Sequence, residues 1–381
     1  MTRPGVALER LDAYDPAKTL EALRRVLAPL GGMERFVKPG AKVALKPNLL
    51  FGRAAGKALN THPEIVRAAG RLALEAGAGE LLIGDSPGFG TARGAARLCG
   101  ILPVAEELGA AVVEFTPVEH MDRGRSFPRL ELARELLEAD VVINLPKMKT
   151  HGQMLMTLAV KNMFGAVPGT RKFQWHYRAG RDKLVFARAL NEIAMAVRPA
   201  LSILDAVLAM DGMGPSSGRP RWTNFIAAGD DPWALDAAIM DVLGLERSLL
   251  FTLLAASGHG PSEWREVEIF GESPEALRPD DWDIPELVTA QMHGGFVEKR
   301  LPRLADWLRA RISPPPRANG RCVRCGHCVA ICPAGAMRLD PDPVIDREKC
   351  IRCYCCHELC QYGGMDMRRG GALARILGFG G

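Results

Sequence analysis

Short apolar runs alternate with amphipathic helical stretches over residues 1–298, which predicts an α/β fold: a mostly parallel sheet with helices on both faces. Nine of the ten cysteines crowd between Cys322 and Cys360, which predicts a separate, small α+β domain there. The expected division is 1–298 for the large domain and 299–318 for a basic amphipathic helix and Pro-rich linker. The small domain then takes 319–362 and a tail 363–381. With 381 residues and 48% hydrophobic content, the chain can bury a substantial core in two unequal domains.

The elements follow in order. VALKPNLL, from Val43 to Leu50, reads as a strand running into a polar end. THPEIVRAAGRLALEAGA is a helix whose start signal is Thr61, Pro63 and Glu64, with His62 as part of that start and not a ligand. Leu81 to Ile83 is a buried strand, followed by a turn and a helix through about Leu108 that breaks at Pro103. Cys99, with no cysteine near it, belongs to the core of that helix. AAVVEF is a strand, Leu130 to Glu138 a helix, and DVVINLPK a strand ending on polar residues. Beyond a long irregular stretch come a helix from Val185 to Val197 and the strands LSILDAV and NFIAAG. DPWALDAAIMDVLG closes the series as a helix, with Asp231 as N-cap and Pro232 in its first turn.

In such sheets ligands sit beyond the carboxyl ends of the strands. The polar residues ending these runs are Lys46, Asn48, Asp85, Asn144, Lys147, Asp205 and Asp230. The densest chemistry lies between Ile143 and Gly169, where Lys147, Lys149 and His151 alternate and project to one side of an extended chain. Lys161 and Asn162 follow on a helix or half-helix, and His176 stands further on in FQWHYR. Lysines and histidines gathered at a strand's carboxyl end make an anion site, in which a group of lowered pKa also donates a proton. His151, His176 and Lys161 are therefore the candidate catalytic residues. Lys46, Asn48, Asp85, Lys147, Lys149 and Asn162 are the candidate substrate-binding ones. A solvated lysine face is the structural alternative, and the apolar, glycine-rich context of these lysines speaks against it.

Two glycine-rich stretches are weaker. GDSPGFG, Gly84 to Gly90, is either an anion-binding turn or a plain strand–helix turn. It is neither a dinucleotide fingerprint nor a P-loop, so no NAD or ATP is expected. DAVLAMDGMGPSSGRPR, Asp205 to Arg221, carries Asp205 and Asp211 and reads as a structural loop, with a lid or a cation site as the functional alternatives.

The cysteines run Cys322-x2-Cys325-x2-Cys328-x3-Cys332-Pro333, then Cys350-x2-Cys353-x2-Cys356-x3-Cys360. Three closely spaced thiolates wrap three corners of an iron–sulfur cubane, while the fourth cysteine of the run ligates the other cluster. Cys322, Cys325, Cys328 and Cys360 are thus expected to hold one [4Fe–4S] cluster, and Cys350, Cys353, Cys356 and Cys332 the second. Zinc knuckles use paired cysteines, not triplets. A disulfide framework needs an exported chain, and MTRPGVALER has no apolar signal region. Gln361 stands after Cys360, where such runs usually carry proline, and Cys355 is extra, a small buried hydrophobe.

The net charge of +5 is concentrated in residues 299–317, where six basic residues face only Asp306. Leu301, Leu304, Ala305, Leu308 and Ile312 share one face of that helix, which either packs on the domain or lies on a membrane. Ser313 to Pro316 then stiffens the approach to the small domain. No broad basic face with interleaved aromatics is present, so no nucleic-acid partner is expected. No apolar run approaches the roughly 20 residues of a membrane span. Thiolate-ligated clusters want a reducing interior, so the expected compartment is the cytoplasm.

The cysteine pattern resembles the bacterial two-cluster ferredoxin module over residues 319–362. Four further segments are similar to the domain-of-unknown-function family 362 over about residues 40–245: KPNLL with THPEIV, GDSPG, INLPKMKTHG with VKNMFGAVPG, and ILDAVLAMDGMGP with DDPWALDAA. That resemblance implies an iron–sulfur protein with a large α/β domain and brings no agreed reaction. The residues themselves point to an iron–sulfur oxidoreductase. A soluble donor such as a ferredoxin or flavodoxin would supply electrons through the two clusters to a small anionic substrate. Lys147, Lys149 and Lys161 would bind the anion, with His151 or His176 as proton donor. The alternative is a non-catalytic electron carrier or assembly protein whose α/β domain recognises a partner or handles a metal or cofactor. A ligand-sized pocket beside the lysines favours the enzyme, and a flat surface favours the carrier.

Overall fold

The computed structural model describes residues 3–259, 266–285 and 315–367. Most of the expected basic helix and linker, 299–314, and the tail from 368 lie outside the described residues. Chain order gives β1 (Gly5–Arg10), β2 (Lys42–Pro47), β3 (Glu80–Gly84), β4 (Ala111–Val113), a side hairpin β5 (Pro117–Met121) and β6 (Arg129–Ala133), and β7 (Val141–Leu145). It continues with β8 (Lys147–His151), β9 (Leu155–Thr157), β10 (Leu201–Asp211), β11 (Arg219–Gly229) and β12 (Glu268–Gly271). The main sheet runs β12-β1-β11-β10-β7-β2-β3-β4, with β8 paired to β10 and β9 folded back on β8.

Parallel pairs dominate: β1 with β12, β10 with β7 and β8, β2 with β7 and β3, and β3 with β4. The long hairpin β10–β11, the pair β1–β11 and the turn β8–β9 are antiparallel. Successive strand residues point to opposite faces. Ala7, Val43, Ile143, Ile203 and Ala228 enter one core, with the helices Pro16–Leu27 and Pro63–Glu75. Their neighbours Leu8, Ala44, Val142, Leu204 and Ala227 enter another, with the helices Lys183–Val197 and Pro232–Val242. The predicted α/β sheet covered on both faces is what the chain forms. Among the described residues no helix is long and apolar enough to cross a membrane.

Local signals hold at several boundaries. Asp231 caps its helix by accepting from the Ala234 N–H at 2.7 Å, with Pro232 in the first turn. His62 caps the helix Pro63–Glu75, its Nδ1 accepting from Glu64 N–H at 3.2 Å. Two expectations need correcting. The break before Leu108 falls at Gly100, which adopts a left-handed φ of 86° between the helices Ala92–Cys99 and Ile101–Glu107. Pro103 sits in the first turn of the second helix, where an N–H has no intrahelical partner to lose. Leu130 to Ala133, expected as the start of a helix through Glu138, belongs to strand β6, and only Arg134–Leu137 turns helical. Its buried leucines, Leu130 and Leu132, alternate with exposed Arg129 and Glu131, a period of two.

The C-terminal region is small and α+β. It pairs β13 (Arg317–Ala318) with β16 (Met365–Asp366) and β14 (Met337–Asp340) with β15 (Asp342–Ile345), around short helices at His327–Ala330 and Cys355–Glu358. It rests directly on the sheet's carboxyl end. His357 Nε2 lies 3.3 Å from the Met213 carbonyl, and Arg181 donates to the Cys350 carbonyl at 3.3 Å. Arg53 donates to the carbonyl of Gln361. Leu359 packs onto Gly88 so closely that a Cβ there would lie 2.3 Å from its Cδ2.

Candidate functional site

The carboxyl ends of β2 and β7, with β8 and the helix Ala159–Asn162, carry a ladder of amides. Asn162 Nδ2 donates to Asn144 Oδ1 at 2.8 Å, and Asn48 Nδ2 donates to Asn162 Oδ1 at 2.8 Å. Lys149 Nζ completes the chain, donating at 2.7 Å to both Asn48 Oδ1 and the Leu59 carbonyl. The helix bearing Lys161 and Asn162 is too short to be stable alone. Asp236, buried in the helix Pro232–Val242, holds its start by accepting from the N–H groups of Ala159 at 2.7 Å and Val160 at 3.2 Å. Asp236 was missed at the sequence level, where the signal was a charged residue inside the apolar run PWALDAAIM.

Next to this ladder is a cavity of about 70 Å³. Lys149, Lys161, Lys172 and His176 of the large domain line it, and Cys355 and Glu358 of the C-terminal region close it. Two buried groups among its walls, His176 Nδ1 and Thr157 Oγ1, have no hydrogen-bond partner among the described residues. His151 Nδ1 accepts from the N–H groups of Gln153 at 3.1 Å and Met154 at 3.3 Å. The proton of the neutral ring therefore sits on Nε2, which faces Glu358 Oε2 at 3.3 Å.

Burial sets the electrostatics here. It lowers the Lys149 ammonium to about 7, helped by the positive charge of Lys161. It lowers Lys172 to about 8, against the pull of Asp85 and then Glu358, and also lowers Lys161, against the pull of Glu358. His151 falls to about 4 and His176 to about 3 for the same reason, so both rings are neutral near pH 7. Burial would raise the Glu358 carboxyl, but His151, Lys161 and His176 outweigh it and hold the group far below the usual carboxylate range.

Other predicted residues are engaged in pairs of their own, Asp85 while it also lines the cavity. Lys46 is fully buried and paired with Asp85 at 2.9 Å, and Asp85 also accepts from Leu49 N–H at 2.7 Å. Gly165 packs against that pair, where any Cβ would collide with Asp85 Oδ1. Lys147, expected beside Lys149, donates instead to Asp205 Oδ2 at 2.7 Å and to Tyr14 Oη at 3.0 Å. The register of β8 against β10 shifts between Asp205 and Met210, so strict alternation does not carry the first lysine to the cavity. Asp205 also accepts from Tyr14 Oη at 2.6 Å, and Asp211 pairs with Arg219 and Arg221. Asp230 pairs with Arg35 at 2.7 Å.

The cysteines fall into two groups. Cys322, Cys325, Cys328 and Cys360 line one cavity, of about 430 Å³, and Cys332, Cys350, Cys353 and Cys356 line a second, of about 20 Å³. Backbone N–H groups point at the fourth cysteine of each run: Ala336 at Cys332 Sγ, 3.3 Å, and Gly364 at Cys360 Sγ, 3.1 Å. Among the described residues no three His, Cys, Asp or Glu converge on a single ion. In a cubane each thiolate takes its own iron, so four thiols spread around a cavity suit a cluster better than one ion. Cys355 is buried and lines both the second cysteine cavity and the lysine cavity.

The family profile described as domain of unknown function (DUF362) matches residues 43–241. A thylakoid-associated protein of Synechocystis sp. is 44% identical over 285 residues, covering 74% of this chain and 88% of that protein. A crystal structure of a Thermotoga maritima protein aligns over 56% of this chain and 55% of that one. Its TM-score is 0.36 at 16% identity.

Proposed function

The chain belongs to the DUF362 family, and we propose that it is an iron–sulfur oxidoreductase acting on a small anion in the lysine cavity. The observation that carries this is the closure of the cavity by Cys355 and Glu358 of the cysteine region, over Lys149 and Lys161 of the large domain. A pocket stands where a carrier protein would present a flat surface.

Cys322, Cys325, Cys328 and Cys360 would hold one [4Fe–4S] cluster of a ferredoxin-like module, and Cys332, Cys350, Cys353 and Cys356 the other. Such clusters supply electrons one at a time. Cys325 is exposed and Cys353 buried, so a soluble donor, a ferredoxin or flavodoxin, meets the first group, while the second borders the cavity. Lys149, Lys161 and Lys172 attract and hold the anion. The Asn48–Asn162–Asn144 ladder keeps Lys149 aimed. Lys149, lowered to about 7, is matched to giving and taking a proton near neutrality. Neutral His176 offers a ring nitrogen without a partner among the described residues for orienting the ligand. The cavity's size suits a few non-hydrogen atoms and excludes a nucleotide. Thiolate ligands call for the reducing cytoplasm, and the thylakoid association named for the Synechocystis relative fits a station beside a membrane there.

The test is anaerobic purification of the full chain, with about eight irons and eight sulfides expected for two cubanes. The chemically reduced protein is then exposed to a panel of small anions and to anions that co-purify, with cluster reoxidation as the readout. Lys149→Met and Lys161→Met should lose the response at unchanged iron content. Full iron with no response to any anion, and lysine variants indistinguishable from the parent, would leave the carrier in place of the enzyme.

A further inference from the structure

Glu358 is an anion built into an anion site. Its carboxylate faces His151 Nε2 at 3.3 Å and lines the cavity with Lys149, Lys161, Lys172 and His176. All five of these groups feel its charge. Among the described residues no carboxylate of the large domain forms an ion pair with Lys149, Lys161 or Lys172; the nearest, Asp85, pairs with Lys46. Lys161 thus takes its counter-charge from the other region of the chain, and Lys149 and Lys172 feel Glu358 together with Asp85. It arrives on the four-residue helix Cys355–Glu358, seated by Leu359 against Gly88.

Resting on the anion site argued above, we propose that the ligand is a small carboxylate whose carboxylate group occupies the place now held by that of Glu358, so that ligand and side chain exclude one another. His151 Nε2 already faces a carboxylate oxygen there at 3.3 Å, and Lys149, Lys161, Lys172 and His176 share the cavity walls with it. The space vacated by the side chain, added to a cavity of about 70 Å³, takes an acid of a few carbons. Two carboxylates together would face each other across a few ångströms of low-dielectric interior, which disfavours joint occupancy. Because Glu358 lies between Cys356 and Cys360, ligand arrival also disturbs the segment that carries cysteines of both groups.

Calorimetry on the iron-loaded full chain under anaerobic conditions tests this, with acetate and inorganic phosphate as probes. Glu358→Ala should bind acetate at least about tenfold more tightly than the parent, a difference of about 1.4 kcal/mol, with a smaller gain for phosphate. Glu358→Gln should gain less than Glu358→Ala, because its amide still fills the place although the charge that holds it there is gone. Equal gains in both variants, or an equal gain for phosphate, would overturn the proposal, since either would mean relief of repulsion without a carboxylate-shaped place. Anion binding that is the same in all three proteins would overturn it too, while leaving the anion site standing; no anion bound by any of them would remove the site itself. A measurement on the parent protein guards against a variant that loses iron. Saturating acetate should speed hydrogen exchange of the 355–359 amides relative to chloride, and unchanged exchange counts against displacement.

Discussion

Lys147 and Lys149 stand two residues apart on one strand and are equally buried, at 1% exposure each. They have opposite surroundings. Lys147 meets Asp205 and Tyr14 within its own domain, a closed ion pair like that of Lys46 with Asp85. Lys149 meets two neutral oxygens and two further lysines, and its nearest large carboxylate influence, Glu358, comes from the cysteine region. Burial of a charge is costly unless it is paired. A lysine paired at home is structural, and one left for an outside anion to pair is equipped for binding. The difference lies in who supplies the counter-charge, not in depth.

The largest expected effect is on stability. Lys147→Met leaves Asp205 buried without its ammonium and should cost about 3–5 kcal/mol. Lys149→Met removes a buried charge that has no ion pair among the described residues and leaves two neutral acceptors short of a donor, for a cost of about 1 kcal/mol. Anaerobic denaturant unfolding compares them directly, and equal losses would break the distinction.

A smaller effect comes from pH. Lys149 holds its proton below pH 7 in the free site, so anion affinity should be flat there. Above pH 7 the anion must bring a proton with it, and affinity should fall by up to about 1.4 kcal/mol per pH unit. Calorimetry at stepped pH reads this, and the slope should vanish in Lys149→Met. Folding runs the other way. The unfolded chain keeps this proton up to its ordinary value of 10.5, so Lys149 makes stability rise with pH between about 7 and 10.5. An affinity that is level across neutrality would show that Lys149 is not the titrating group.

The smallest effect concerns Cys355. The other eight cysteines of the C-terminal region already fall into two groups of four. Cys355→Ala should therefore leave about eight irons per chain and an unchanged EPR spectrum of the reduced protein. Loss of one cluster's signal would reassign the second run and redraw the wall between cysteines and cavity.

Much of this molecule was legible in the order of its residues alone. The alternation of strands and helices, the cap at Asp231 and the two cysteine runs depend on spacing along the chain. Spacing is a local property that survives without knowledge of neighbours. The region around Lys149, Lys161, His151 and His176 was legible as a neighbourhood for the same reason, since a strand end and the next helix are close in sequence. The partition of Lys147 from Lys149 was not, because it turns on a register shift against β10 and on Asp205, 58 residues away. Asp236 and Glu358 were also out of reach, 77 residues from Ala159 and more than 200 from His151. Which charges neutralise one another inside a protein depends on distances of a few ångströms in a medium of low dielectric. Those distances are set by packing of the whole chain, so only the tertiary structure decided which lysines were already paired and which were left to receive an anion.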